Sequence, residues 1–100
     1  MTTVPPPKDA TIASLRPERL VLATREAVLP GTVLALTLRL EGQPLALQLP
    51  VEACLVVGKD RSGYQFHLQL DLNVLGEADR HLIALFITKG RGSPDLGPSR

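Results

Sequence analysis

Three arginines near the start of the chain, Arg16, Arg19 and Arg25, are the side chains best suited to bind a ligand or a partner. A guanidinium group offers a planar fork of N–H donors that suits carboxylates and phosphates and can stack on flat rings. The spacing places all three at or just after one predicted turn, which indicates a patch for an anion or an acidic partner. Glu18 and Glu26 lie close enough in the sequence to neutralise these charges, so an ordinary solvated turn is the competing interpretation.

No set of residues in the sequence has the spacing of a catalytic or metal site. His67 falls on the polar face of a predicted strand and His81 in a predicted helix, each without a carboxylate at a fixed local spacing. Glu52 and Asp71 could approach His67 from neighbouring strands, but nothing in the spacing requires a metal there. Cys54, the only cysteine, lies in an apolar run and is predicted to be a small buried side chain. We therefore predict a protein that is not an enzyme and holds no metal.

The composition limits both the size of the fold and the range of partners. The chain has 100 residues, enough for one domain, of which 44% are hydrophobic and only 3% aromatic. An aliphatic core is expected, without an aromatic platform on which single-stranded nucleic acid could stack. The net charge of +1 is too balanced for a general binder of nucleic acids or membrane surfaces. A single cysteine, no signal-peptide pattern and no membrane-spanning apolar run favour a cytoplasmic protein without membrane insertion.

The two ends of the chain are predicted to lie outside the folded domain. Residues 1–9 contain three consecutive prolines and are expected to form a flexible, extended arm. Residues 90–100 mix glycine, proline, serine and charged residues in a pattern typical of a disordered tail. The folded domain is therefore expected over residues 10–89.

Apolar residues alternate with polar ones through most of this domain, which predicts β-strands. The predicted strands include Thr11–Leu15, Arg19–Thr24 and residues 32–40, 45–49 and 64–72. Pro50 indicates a strand edge, a bulge or a sharp bend, because proline has no N–H to donate. The run Ala53–Val57 that follows it is expected to be buried on both sides.

The spacing of apolar residues changes to three and four after residue 72, which predicts an amphipathic helix. Its apolar positions are Leu75, Ala78, Leu82, Leu85 and Phe86. Asn73 is expected to cap the start of the helix, and Lys89 and Gly90 suit its end. Five or six antiparallel strands followed by one helix favour a small closed or nearly closed barrel, because closure removes exposed strand edges.

One hydrophobic core is expected to join the strands and the helix. The side chains predicted to be buried together are Leu36, Leu38, Leu47, Leu55, Phe66, Leu68, Leu82 and Phe86. A long leucine face left uncovered would instead indicate a dimer.

The order of these segments resembles a PilZ domain, a bacterial domain with six barrel strands and a C-terminal helix. The resemblance runs from about Thr11 to Thr88 and is carried by three parts. These are the apolar hairpin that ends in Pro30-Gly31, the strand GTVLALTLRL followed by PVEACLVVG, and GYQFHLQL, which is similar to the family's Gly-Val-x-Phe strand. The implied fold is mainly β: a small antiparallel six-stranded β-barrel with a C-terminal α-helix.

The resemblance also implies a ligand that this sequence is poorly equipped to bind in the usual way. Many PilZ domains bind cyclic di-GMP with an Arg-x-x-x-Arg segment before the barrel and an Asp/Asn-x-Ser-x-x-Gly turn. The segment before the first strand here, MTTVPPPKD, has no arginine. The turn carries Ser14, Arg16 and Arg19 in place of the acid, the serine and the glycine. Arg19 disfavours the positive φ or close ligand approach that a glycine permits.

The resemblance therefore implies a protein-interaction or regulatory adaptor that needs no cofactor. In this family, domains without the nucleotide site are associated with type IV pili, surface motility and related signalling. The expected partner is another protein, a signalling or motility component, and not a nucleic acid polymer. The alternative is a receptor that binds cyclic di-GMP or a related nucleotide in a changed mode through Arg16 and Arg19.

Overall fold

The computed structural model describes residues 3–40, 43–90 and 95–96, which form seven strands and one α-helix. The strands are β1 (Thr3–Val4), β2 (Thr11–Leu15), β3 (Arg19–Thr24), β4 (Val33–Leu40), β5 (Gln43–Asp60), β6 (Gly63–Asp71) and β7 (Asp95–Leu96). A short 3-10 helix, Leu72–Val74, leads into α1 (Glu77–Lys89). The prediction of a mainly β protein with one helix after its long strands is confirmed.

The strands form one sheet in the order β1-β4-β5-β6-β3-β2, and β7 also pairs with β4. All pairs are antiparallel except that of β1 with β4. The strand path runs from β1 to β2, and over the described residues the sheet is not closed. The closed or nearly closed six-stranded barrel that the sequence predicts is therefore not confirmed.

β5 joins the two halves of the sheet because it changes partner at Pro50. Residues up to Pro50 pair with β4, and residues from Val51 onward pair with β6. Val51 also bonds the loop before β4: its N–H donates to the carbonyl of Thr32, and its carbonyl accepts from the N–H of Gly31, both at 2.8 Å. Gly31 has a φ of +93°, which glycine adopts without a steric penalty. Pro50, where the sequence predicts a strand edge, a bulge or a sharp bend, thus lies at the junction between the two halves.

Two dipeptides cover part of the outer edge of β4. Thr3–Val4 lies in the arm predicted to be flexible, and Asp95–Leu96 lies in the tail predicted to be disordered, yet both pair with β4. The open edge of a strand offers unpaired N–H and C=O groups, which gives short segments a reason to pair there. The rest of the predicted tail after Gly90 and residues 41–42, between β4 and β5, lie outside the described residues.

The core is built almost entirely from leucine, because the alternating strands turn every second side chain inward. The buried apolar side chains are Leu20, Leu22, Leu34, Leu36, Leu38, Leu40, Leu47, Leu49, Val51, Leu68, Leu70, Leu72 and Ile83. Four of the predicted core residues, Leu36, Leu38, Leu47 and Leu68, belong to this cluster. The sheet and α1 therefore share one core.

The other four predicted core residues lie differently. Leu55 is 45% exposed and Leu82 is 47% exposed, so the prediction that they are buried is wrong. Phe66 and Phe86 are half-buried. Alternation along a strand gives the face on which a residue lies, but not the point at which the core ends. β5 and β6 extend past the leucine core, and α1 contacts that core through Ile83 rather than Leu82.

The end of α1 follows the prediction, whereas its start does not. Gly90 ends the helix with a φ of +61°, and its N–H donates to two carbonyls of the last turn at 3.2 Å. The N-cap is Gly76, without a side-chain hydrogen bond. Asn73, the predicted cap, lies in the preceding 3-10 helix, where its N–H donates to the Asp71 carboxylate at 2.9 Å.

Within the described residues, no helix combines the length and apolar character that a bilayer crossing requires.

Candidate functional site

The turn between β2 and β3 holds two of the three predicted site residues together. The N–H of Arg16 donates to the carbonyl of Arg19 at 2.8 Å, and the N–H of Arg19 donates to the carbonyl of Arg16 at 3.3 Å. Pro17 and Glu18 form the two-residue loop between them, where proline suits the fixed φ of a turn. Side chains of a directly opposed pair lie on the same face of a hairpin, so both guanidinium groups share one face.

That face points away from the leucine core. β3 turns Leu20 and Leu22 inward and Arg19 outward. Outward residues of β2, β3 and β6 line a concavity of about 340 Å³. Its lining residues are Ser14, Arg16, Glu18, Arg19, Val21 and Gln69. The three positions of the predicted turn, Ser14, Arg16 and Arg19, therefore line one concavity.

Carboxylates reduce the positive potential of this concavity. Glu18 lines it, and the Oε2 atom of Glu52 on β5 lies 4.0 Å from the Nη2 atom of Arg19. Asp71 is directly opposite Arg19 in the β3–β6 ladder. The Arg19–Glu52 pair is about half exposed and adds little stability, but it competes with an incoming anion for the guanidinium group. The concavity is thus a surface of mixed charge.

Arg25 lies at the opposite end of β3 and does not line this concavity. The extended chain between Arg19 and Arg25 spans about 20 Å at the rise of a β-strand. The Arg25 guanidinium donates two parallel hydrogen bonds to Asp60, Nη1 to Oδ1 and Nη2 to Oδ2, both 2.9 Å long. Its backbone N–H donates to the Asp9 carboxylate at 2.8 Å. The three arginines therefore do not meet in one patch, and Arg25 ties three segments of the chain together.

Asp60 is the centre of this hydrogen-bond network. Besides the two bonds from Arg25, its carboxylate accepts one from the Ser62 N–H at 2.8 Å and one from the Gln65 side-chain amide at 3.0 Å. The bond from Arg25, followed by those from Ser62 and Gln65, holds the pKa of Asp60 well below its usual range. The same pair raises the pKa of Arg25. Because its oxygens are occupied, Asp60 is poorly placed to act as a general base or a metal ligand.

The other residues with chemical capability are spread over the sheet and the helix. His67 is half-buried on β6, opposite Ala23 on β3 and Leu55 on β5. His81 is exposed on α1, and Cys54 is a half-buried free thiol on β5. In the part of the chain that the structure describes, no three His, Cys, Asp or Glu side chains are grouped to hold a metal ion.

Sequence patterning missed an exposed apolar surface at the outer end of the β5–β6 hairpin. The exposed side chains are Leu55, Val56, Val57 and Tyr64. The prediction that Ala53–Val57 is buried on both sides is wrong, since Ala53 and Cys54 are half-buried and the residues from Leu55 to Val57 are exposed. β3 pairs with β6 only from Phe66 onward, and β4 pairs with β5 only up to Pro50. The outer hairpin therefore extends past both neighbouring strands, a feature that depends on where those strands end.

A second apolar surface lies between α1 and the β4–β5 hairpin. α1 buries Ile83 against the sheet and leaves Leu82 and Leu85 exposed. These two leucines line a groove of about 150 Å³. The other residues that line it are Leu40, Gln43, Pro44, Leu45, Phe86 and Lys89. The groove is therefore mainly apolar, with a cation at one end.

Comparison with known proteins adds no assignment to this geometry. The chain matches no protein-family model, and neither the curated proteins nor the solved structures contain a match to it. The resemblance to PilZ domains therefore stays a prediction from the sequence pattern.

Proposed function

We propose that this chain is a PilZ-like, non-enzymatic domain that acts as a protein-interaction adaptor in the bacterial cytoplasm, in type IV pilus function, motility or related signalling. The order of the apolar hairpin, the leucine-rich strands and the helix supports the family assignment. An antiparallel sheet followed by a helix is compatible with it. The docking surface for the partner is the groove between α1 and the β4–β5 hairpin.

The observation that carries the proposal is the position of Leu82 and Leu85. A helix that only covers a core turns its large apolar side chains inward. α1 turns Ile83 inward but leaves these two leucines 47% and 42% exposed beside the groove. Burial of the exposed part of each leucine in an interface would stabilise a complex by roughly 1 kcal/mol. The helix thus has one apolar side for the core and one for a partner.

The lining of the groove defines the chemistry of the partner. Leu45 and Phe86 pack against the leucine core and offer an apolar floor. Pro44 has no N–H, so the groove is unsuited to strand addition at that position. Lys89 places a positive charge at one end. A partner helix with apolar side chains one turn apart and an acidic residue beside Lys89 fits these features.

A pull-down with three bait proteins tests the adaptor function. The baits are the wild type, the Leu82→Lys/Leu85→Lys variant and a Val74→Lys control. Val74 is 54% exposed and lies outside the groove, so the control adds a charge at an equally exposed apolar position. We expect the wild type and the control to retain a protein that the double variant loses. The purified pair should bind directly, and the double variant should weaken it at least about tenfold. Equal binding by all three proteins contradicts the proposal.

A second candidate function is a receptor for cyclic di-GMP or a related nucleotide at Arg16 and Arg19. The shared face of the two arginines and the concavity beside them favour it. Glu18 within the concavity and Glu52 beside Arg19 oppose it, since both repel phosphate. Titration of the protein with cyclic di-GMP separates the two functions. Saturable low-micromolar binding that is lost in Arg16→Ala/Arg19→Ala would replace the adaptor by the receptor.

A further inference from the structure

The outer edge of β4 is paired along only part of its length in the residues that the structure describes. β1 pairs with Val33 and Leu34, and β7 pairs with Leu38 and Arg39. Between them, no described strand pairs with residues 35–37 on this side. The stretch from residue 35 to Arg39 is about 17 Å long at the rise of a β-strand. Its backbone groups form a template for a strand longer than β7.

β7 shows how a strand fits at this edge. It pairs antiparallel with β4 and lies next to β2. β2 is the last strand on the path of the sheet, and among the described strands it pairs with β3 alone. Leu96 is directly opposite the fully buried Leu38, so its side chain points to the same inward face, where it packs half-buried against the core. β7 therefore occupies a slot between β4 and β2 that accepts a leucine.

The tail of the chain is a weak occupant of this slot. β7 has two residues, and Leu96 is the one large apolar side chain among residues 90–100. In the sequence it is followed by Gly97 and Pro98, residue types that strands disfavour, proline because it has no N–H to donate. Each ordered residue loses backbone entropy, which so short a ladder offsets poorly. A longer strand with better side chains can therefore displace the tail.

The register of β7 defines which segment would fit better. A strand that continues in the same direction places its next two residues opposite Thr37 and Leu36, with side chains on alternate faces. Leu36 is buried on the inward face, so a second apolar residue suits the position opposite it. The residue between the two points outward, beside a cavity of about 560 Å³ that the small side chains of Ala35, Thr37 and Ala46 help to line. The fitting pattern is therefore leucine, any residue other than proline, then a second apolar residue.

We propose that the slot between β4 and β2 is a docking site for an extended segment of a partner protein, with apolar residues at alternate positions. The partner segment adds to the edge of β4 as a strand, and the tail of the chain occupies the slot until that segment replaces it. The residues that define the slot do not line the groove beside α1. The docking site therefore goes beyond the groove of the proposed adaptor and does not depend on it.

The probe for this site is a fluorescent peptide of residues 91–100 with Gly97→Thr and Pro98→Leu, which has the fitting pattern. Its binding is measured by anisotropy on three full-length proteins. Leu96→Asp releases the slot, the wild type occupies it weakly, and Gly97→Thr/Pro98→Leu occupies it with an improved tail. We expect the affinity for the peptide to fall in that order, by at least about tenfold from the first protein to the third. The reason is that the apparent affinity scales with the fraction of free slots.

Two controls locate the binding. The same peptide with aspartate in place of its leucine at position 96 should bind none of the proteins. The Leu82→Lys/Leu85→Lys variant should bind the peptide as the wild type does, which separates the slot from the groove. Comparison of the wild type with Gly97→Thr/Pro98→Leu removes no core contact, so it remains a test even where circular dichroism shows that Leu96→Asp has lost its fold.

Three results overturn the proposal. They are the absence of saturable binding to any of the three proteins, equal binding to the wild type and to Gly97→Thr/Pro98→Leu, and loss of binding in the groove variant. None of them affects the pull-down that tests the groove.

Discussion

Arg25 and Asp60, 35 positions apart in the chain, bind each other through two parallel hydrogen bonds of 2.9 Å. Asp60 ends β5 and Arg25 follows β3, so the pair ties the turn of the outer hairpin to a strand on the other side of β6. Asp9 joins them through the Arg25 N–H. The pair therefore orients a hairpin that extends past its neighbouring strands.

Asp60→Asn should lower the stability of the domain at neutral pH. Because the pKa of Asp60 is lowered in the folded state, the unfolded chain takes up the proton first as the pH falls. The contribution of the carboxylate is full above about pH 4, the ordinary pKa of aspartate, and is lost as the pH falls towards the lower pKa of the folded state. Urea unfolding at about pH 7 and about pH 3 measures this change.

The difference in unfolding midpoint between the wild type and Asp60→Asn should shrink at the lower pH. Arg25→Lys is the matched control, since it keeps the positive charge and loses the fork, and it should lie between the two. An equal difference at both pH values would show that the ion pair is not the cause.

Leu68→Ala should lower the free energy of unfolding much more than Leu55→Ala does, although the chemical change is the same. Leu68 is fully buried, and its truncation should cost about 2–5 kcal/mol of unfolding free energy. Leu55 is 45% exposed on the outer hairpin, and its truncation in the monomer should cost less than about 1 kcal/mol. Thermal and urea unfolding at low protein concentration give both values. Equal losses would contradict the placement of Leu55 outside the core.

These two leucines show how far the sequence predicts the fold. Alternation is a local property, and it correctly predicts the strand at Arg19–Thr24 and the inward direction of Leu68. Whether a strand is covered depends on where its neighbours end, and that is a property of the whole sheet. Leu55 lies in the part of β5 that extends beyond the end of β4. The spacing of residues within β5 cannot predict where β4 ends.

In the candidate site, too, local contacts could be predicted from the sequence and long-range contacts could not. Arg16 and Arg19 are close in sequence and are joined by a two-residue loop, so their proximity was predictable. The sequence predicts Arg25 beside them, but Arg25 lies at the opposite end of β3 from Arg19. Its bond to Asp60 depends on the register of the β5–β6 ladder, which is shifted by irregularities near Glu52 and Val57.

Gly90→Ala should destabilise α1, whereas Gly90→Asn should do so less. Gly90 has a φ of +61°, and its Cβ position meets no atom within 4 Å, so the penalty comes from the backbone and not from a clash. An alanine there should cost about 1 kcal/mol, and asparagine tolerates this conformation better. Circular dichroism during thermal unfolding would rank the three proteins. A loss with asparagine as large as that with alanine would point to a role other than the end of the helix.

β5 also determines how the domain comes apart. Since this strand belongs to both halves of the sheet, neither half can detach while the other keeps all its partners. Amide protons near Pro50 should therefore exchange with solvent only when the whole domain opens, and those near Val57 should exchange earlier, by fraying of the outer hairpin. A protease that cuts the outer hairpin would leave the leucine core folded, whereas one cut near Val51 would release both halves at once.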